Sequence, residues 1–392
     1  MRGTVLPVGY MPLVDAAPLI VAQEMGFAAE EGIALDLQKA PSWSSLRDML
    51  AFGRVDAAHM LSPVPVAMAM GLGGVASQIS ALSVLSVNGN VIGVSNRLAD
   101  KMRAAGATID FKDAAATGRA LMEAAGAGLR IGVPFPFSMH AELLYYWLSS
   151  LGYSAPQGID IRTVPPPLMA EALGAGEIDA FCVGEPWGSI AVEKELGELI
   201  LPCSAIWEFA PEKVLAVRND WAKAEPDLTA RLIRAVWRAG KWLGDPQSRT
   251  TAAELLARPE YVDVPAEVID RALTGRLVVS PRGEERQVDR FVEFHAGAAS
   301  FPWRSQAAWI GQQLAARMGV DRDQAMQTAR EVFRSDLYRR ALSNVTADIP
   351  GASEKVEGGI DNRQAVASQE GKLFLGPDQF FDGRIFDPYE SA

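Results

Sequence analysis

Basic residues, cysteine and histidine are all scarce in this chain. Its 37 lysines and arginines are outnumbered by 48 aspartates and glutamates, leaving a net charge of −11 over 392 residues. Direct nucleic-acid binding needs a basic face that displaces phosphate counterions, so that class is disfavoured. A small anion is still allowed, because the local field of a pocket can oppose the net sign. The two cysteines, Cys182 and Cys203, are too few for a disulfide framework and fit no zinc spacing. Cys182 lies in the apolar run DAFCVG and reads as a buried free thiol. The three histidines, His59, His140 and His295, are widely separated, with no visible acid–base partner. The chain also lacks a G-x-S-x-G elbow, an H-E-x-x-H helix, a GxxxxGK[ST] loop and a G-x-G-x-x-G after a strand. No enzyme is indicated, and no catalytic residue, metal or cofactor is expected.

Long hydrophobic runs are missing too. The stretch SPVPVAMAMGLGGVA is broken by Pro and Gly and falls short of a membrane span. The opening residues MRGTVLPVGYMPLVD contain no apolar leader core and no A-x-A site. The expectation from this is a cytoplasmic protein.

What the chain does have is hydrophobic material, 49% of its residues, in an alternation of strand and helix patterns. TVLPVGY, IALDLQKA and VDAAHML read as strands. They alternate with the helices DAAPLIVAQEMG, SWSSLRDMLAFG and PVPVAMAMG, with Asp15 as a plausible N-cap of the first. The pattern resets after SVNGNVIGVSN: LRIGVP, GIDIRTV and IDAFCVGE alternate with SMHAELLYYWLSSLG, PPLMAEALGAG and PWGSIAVEKELG. Such βαβα order implies mostly parallel sheets covered by helices. VLAVRNDW returns from the second unit, helices dominate 222–345, and the last 45 residues are Gly- and Asp-rich and irregular. The predicted organisation is a discontinuous first lobe (1–95 and 214–392) and a second lobe (96–213).

Ligands in open α/β sheets bind beyond the carboxyl ends of the strands, and several chemically capable residues fall at such junctions. Each also has a plainer reading. Trp43 opens a helix and offers a flat apolar wall, or is a packing residue. Asn88 and Asn90 flank Gly89 at the first candidate crossover and supply amides, or only form a turn. His140 follows VPFPFSM at a helix start and is a core residue, a base or a hydrogen-bond donor. The run Pro165, Pro166, Pro167 leads into a helix or merely stiffens its start. Gly184 lies in VGEPWG. Lys213, in APEKVLAV, is by local sequence a solvated surface lysine. His59 reads as a hydrogen-bonded core histidine and His295 as structural or superficial. Helix N-termini, a lysine and amide or imidazole donors together make an anion site.

The segments MPLVDAAPLIVAQEMGF, APSWSSLRDML, VDAAHMLSPVPVAMAMG, TVPPPLMAEALGAGEIDAFCVGEPWG and FFDGRIFDP resemble the nitrate- and bicarbonate-binding proteins of ABC importers (NrtA/CmpA type), in order over nearly the whole chain. The resemblance implies an α/β, two-lobed type II periplasmic-binding-protein fold. Each lobe would be a mostly parallel sheet flanked by helices, with a helical C-terminal extension. It implies a ligand site of Trp43, Asn90, His140, Pro166, Gly184 and Lys213, with Asn90 standing where the family has Gln. It also reverses the local reading of Lys213: bicarbonate members carry an acidic residue there that recruits calcium, whereas a lysine favours a nitrate-like monoanion without metal. With no leader apparent, the chain is most similar to the cytoplasmic nitrate/nitrite sensors of the NasS type. The implied partner is a NasT-like ANTAR-domain antiterminator, held without ligand and released on nitrate or nitrite. The alternative is an importer's substrate-binding protein for nitrate, nitrite or bicarbonate with its leader removed.

Overall fold

The computed structural model describes residues 3–75, 77–345 and 347–390. The first sheet takes β1 (Thr4–Tyr10), β2 (Ile33–Lys39), β3 (Ala57–Leu61) and β4 (Ile79–Asn88) from the N-terminal region. The chain then crosses into the second sheet, made of β5 (Asn90–Ser95), β6 (Arg130–Val133), β7 (Asp160–Thr163), β8 (Ala180–Gly184) and β9 (Gly197–Pro202). It returns as β10 (Pro211–Arg218). The orders are Val292–Glu293, β4, β10, β3, β1, β2 in the first sheet and β7, β6, β8, β5, β9 in the second.

β3 and β8 are buried along their whole length, which is why their sequences are apolar runs rather than alternations. β1 pairs in parallel with β2 and β3, and β6 with β7 and β8. The two strands that follow a crossing are antiparallel to their neighbours: β5 to β8 and β9, and β10 to β3 and β4. The antiparallel pairings therefore fall on the strands that arrive from the other lobe and on the short edge strand Val292–Glu293, which runs antiparallel to β4. This corrects both expected boundaries. Residues 90–95 belong to the second sheet and 211–213 to the first, so the crossings lie at Gly89 and between Pro202 and Pro211.

The two crossings are tied together. Asn88 adopts φ 60° and Gly89 φ 97°, a left-handed pair that turns the chain between sheets. The Asn88 Nδ2 amide donates to the Glu208 carbonyl at 2.7 Å. Its Oδ1 accepts the Ala210 N–H at 3.2 Å. Asn88 is thus a staple between crossings, more than a turn former.

The C-terminal region does not stay with the first lobe. Helix Arg304–Met318 packs on helix Pro63–Ala69 of that lobe and on helix Met139–Ser150 of the other. Residues 379–381 then lie against the second crossing. The Glu208 N–H donates to the Gln379 carbonyl at 3.0 Å and the Phe381 N–H to the Ile206 carbonyl at 2.9 Å. The Phe380 ring stacks on Trp207 at 4.8 Å between centroids. Among the described residues no helix is long and apolar enough to cross a membrane.

Candidate functional site

The carboxyl ends of β1, β3 and β8 and the starts of β5 and β10 converge between the lobes. Backbone and side-chain bonds close the lobes there. The Val14 N–H donates to the Glu185 carbonyl at 2.9 Å, and Trp187 Nε1 donates to the Pro12 carbonyl at 2.8 Å. Arg47 of the first lobe stands over the Phe135 ring of the second, 5.9 Å from its centre.

Lys213 sits at the middle of this junction and is fully buried. It is paired with Leu61 on β3 and Ser86 on β4, with register irregularities on both its sides along β4; such bulges re-aim a side chain. Its Nζ lies 2.8 Å from Asp15 Oδ2 and 3.2 Å from Glu212 Oε2. Burial alone would discharge the amine, but the two carboxylates more than offset this and hold its pKa above the ordinary lysine value. Burial likewise opposes ionisation of Asp15, yet Lys213 and His59 keep its carboxyl well below the usual range. The expected N-cap role of Asp15 is not what it does: it lies in the 3-10 turn Val14–Ala16, makes no cap bond, and serves as counter-ion.

His59 is the hydrogen-bonded core histidine the sequence indicated, and its partners place it at the site. Its Nδ1 accepts the Met11 N–H at 3.4 Å, and its Nε2 is 2.9 Å from Asp15 Oδ1. Acceptance at Nδ1 fixes the neutral tautomer with Nε2 as donor, and burial lowers its pKa.

Trp43 is the first residue of helix Trp43–Ala51, capped by Ser42, whose Oγ accepts the Ser45 N–H at 3.2 Å. The buried indole packs 5.4 Å from the His59 ring and 5.7 Å below Lys213 Nζ. It is both the packing residue and the wall, while its Nε1–H has no partner. His140 is the second residue of helix Met139–Ser150. Ser138 caps that helix by accepting the Ala141 N–H at 3.2 Å. The ring is fully buried with both nitrogens unpartnered. Burial, then Lys213, drives its pKa well below the ordinary value against the pull of Asp15, so His140 is neutral and offers one donor and one acceptor.

Asn90 opens β5, fully buried, and neither end of its carboxamide is bonded. Gly184 closes β8 beside it. A Cβ there would stand 2.7 Å from Leu13 Cδ2, 3.2 Å from Asn90 Oδ1 and 3.6 Å from Asp15 Oδ2, so glycine keeps this corner open. Pro166 is buried in the 3-10 turn Pro166–Leu168 after β7. It lies at the same end of the second sheet but off its edge strand, and can contribute only an apolar surface.

Sequence reasoning missed Asp15, Glu212 and Glu185. Glu212 is fully buried with Oε1 unpartnered, and burial pushes its carboxyl up to about 7. Glu185 is also pushed up to about 7 by burial, but its Oε2 accepts the Ser189 N–H at 3.2 Å, turning it toward its own lobe. An acidic residue beside a buried lysine carries no signature in one sequence; only the fold pairs positions 15, 212 and 213.

A separate cleft of about 410 Å³ lies between helices Met139–Ser150 and Arg304–Met318. Its charged members Glu142 and Arg317 are already paired with each other.

Trp43, Asn90, His140 and Glu212 thus present unmet polar atoms to one buried ammonium. Buried polar groups in native proteins are nearly always bonded, so such a concentration makes this junction the candidate ligand site. The fold and site together define a two-lobed α/β protein with a buried, incompletely bonded polar centre between its lobes. Residues 3–257 match the NMT1-like family, and the chain belongs to it. It is 30% identical to the nitrate/nitrite binding protein NrtA of Synechococcus elongatus, over 97% of this chain and 83% of that one. It is 34% identical to the nitrate import ATP-binding protein NrtC of Synechocystis, over 87% of this chain but only 50% of that protein, so it spans half of NrtC's length. The crystal structure of the periplasmic nitrate-binding protein NrtA from Synechocystis superposes with a TM-score of 0.84 at 26% identity, covering 99% of this chain and 96% of that one. The type II periplasmic-binding-protein fold and the resemblance to the importer binding proteins both hold.

Proposed function

We propose that the protein captures nitrate or nitrite between its lobes and performs no chemistry on it. The observation that carries this reading is the set of unmet donors around the buried Lys213 ammonium: Trp43 Nε1, the Asn90 amide and a His140 nitrogen. Donors around the edge and an indole face suit a small planar monoanion. Gly184 leaves the corner beside Asn90 and Asp15 free of a side chain.

The relatives named above are importer components, which supports a role as an importer's binding protein ahead of the cytoplasmic sensor. The sensor reading uses the same site. A NasT-like antiterminator that prefers open lobes must lose affinity when an anion closes them, because coupling is reciprocal.

Titration calorimetry with nitrate, nitrite, bicarbonate plus calcium, and an alkanesulfonate tests the ligand class. Nitrate or nitrite is expected to bind, and His140→Ala to weaken it about tenfold. Heat only with bicarbonate and calcium, or only with the sulfonate, overturns the reading. Gel filtration with an ANTAR-domain antiterminator, with and without nitrate, decides between receptor and sensor: a nitrate-sensitive complex establishes the sensor.

A further inference from the structure

The interlobe site contains two carboxylates and one lysine before any anion arrives. Asp15 and Glu212 both contact Lys213 Nζ, at 2.8 and 3.2 Å, and all three side chains are buried. Were both carboxylates ionised, a bound monoanion would leave two uncompensated negative charges in a water-excluded space. Such a cost is relieved by neutralisation rather than endured.

The surrounding groups leave few places for the balancing proton. Asp15 already has His59 Nε2 at 2.9 Å from one oxygen and Lys213 Nζ at 2.8 Å from the other. His59 is held neutral by the Met11 N–H at its Nδ1. A proton on His140 would place a second cation near Lys213 in a fully buried position. Cys182 of β8 and Cys203 after β9, with sulfurs 3.5 Å apart, are buried free thiols; burial pushes the Cys182 thiol up, away from ionisation. Glu142, farther along the His140 helix, is paired with Arg317. Glu185 Oε1 is also buried and unpartnered, but Glu185 makes no contact with Lys213 and its Oε2 accepts the Ser189 N–H. Of the two carboxylates on Lys213, Asp15 has its second oxygen 2.9 Å from His59 Nε2, whereas Glu212 Oε1 is buried without a partner within the ring of unmet atoms.

We propose that anion binding is coupled to uptake of one proton from solvent by Glu212, whose Oε1–H then donates to the bound anion. The inference rests on the nitrate-class reading above and makes Glu212 a ligand-contacting residue. A neutral carboxyl adds a donor, whereas a carboxylate in the same place would repel the anion. Its poise is suited to this, since burial already lifts the unliganded carboxyl to about 7.

Nitrate does not titrate near neutrality, so it is the probe. Calorimetry at pH 8.5 in buffers of differing ionisation enthalpy is expected to report about one proton taken up per nitrate, and close to none at pH 6. With Glu212 protonated throughout in the complex, nitrate affinity falls about thirtyfold from pH 6 to pH 8.5. Glu212→Gln is expected to lose that pH dependence, and Glu185→Gln to keep it. Nitrate bound with no proton uptake in the wild-type protein overturns the proposal alone, whether or not either variant folds. A slope abolished by Glu185→Gln instead assigns the proton to the wrong carboxyl and overturns it as well. No nitrate binding at any pH overturns the ligand reading itself, and this inference with it.

Discussion

Two lysines of this chain, Lys213 fully buried and Lys355 mostly so, each sit between two carboxylates, and their surroundings differ in one respect. Lys355 Nζ lies 2.5 Å from Glu357 Oε2 and also contacts Asp378 Oδ2. There, each carboxylate oxygen has a partner: Ser305 Oγ donates to Glu357 Oε1 at 2.6 Å, and the Ile360 N–H donates to Asp378 Oδ1 at 2.8 Å. Around Lys213 the ion pairs are similar, yet Glu212 Oε1, Asn90, His140 and Trp43 Nε1 have no partners. The first cluster is complete and fastens the C-terminal segment to helix Arg304–Met318. The second is complete only with something bound. Burial and charge are common to both, so unmet hydrogen-bonding capacity is what separates a fastening from a receptor.

Removing each lysine breaks the comparison most sharply. Lys213→Met and Lys355→Met each leave two buried carboxylates without a cation, and each is expected to cost about 3–5 kcal/mol in urea unfolding. Only Lys213→Met is expected to abolish nitrate binding by calorimetry, with Lys355→Met binding at wild-type affinity wherever it remains folded.

The next effect concerns pH. Glu212 is raised in the folded chain from the ordinary value of 4.5 to about 7, so the folded state binds the extra proton between these values. The stability this contributes is full below about pH 4.5 and is lost as pH rises through 7. Glu212→Gln removes that loss. Its stability relative to wild type is expected to improve by up to about 3 kcal/mol from pH 4.5 to pH 8, read as the difference between their urea midpoints. A difference that does not change with pH would remove Glu212 as a buried, titrating group.

Gly184→Ala places a methyl 2.7 Å from Leu13 and 3.2 Å from Asn90, one in each lobe. Overpacking of this kind costs about 1–3 kcal/mol, here charged to the closed form. Nitrate affinity is expected to drop about ten- to a hundredfold with little change in thermal midpoint without ligand. The smallest effect belongs to the completed cluster: Ser305→Ala strips Glu357 Oε1 of its donor and is expected to cost about 1–2 kcal/mol, seen as a lower thermal midpoint with nitrate affinity unchanged.

Much of the architecture was legible because strands buried on both faces write themselves as short apolar runs between helical periods. β3, β6, β8 and most of β10 were readable that way. β9, with sequence GELILP, was overlooked between a better-marked helix and the returning strand. The antiparallel setting of β5 and β10 had no local signature, because strand direction follows from which lobe the chain comes from. Trp43, His140 and Lys213 were found through their junction positions and the family resemblance, and the fold brings them together. Asp15 was invisible because an aspartate ahead of a helix looks like a cap. Glu212 was invisible because its partners are distant in sequence, apart from the lysine beside it.

The bonds from Asn88 to residues 208 and 210, and from residues 206 and 208 to 379–381, have a mechanical consequence. Two separate linkers would let the lobes twist and slide as well as close. Crossings bonded to each other and to the tail form one joint, leaving essentially a single angular freedom. A captured solute then has only one coordinate to fix, and little orientational entropy of the lobes is left to oppose it.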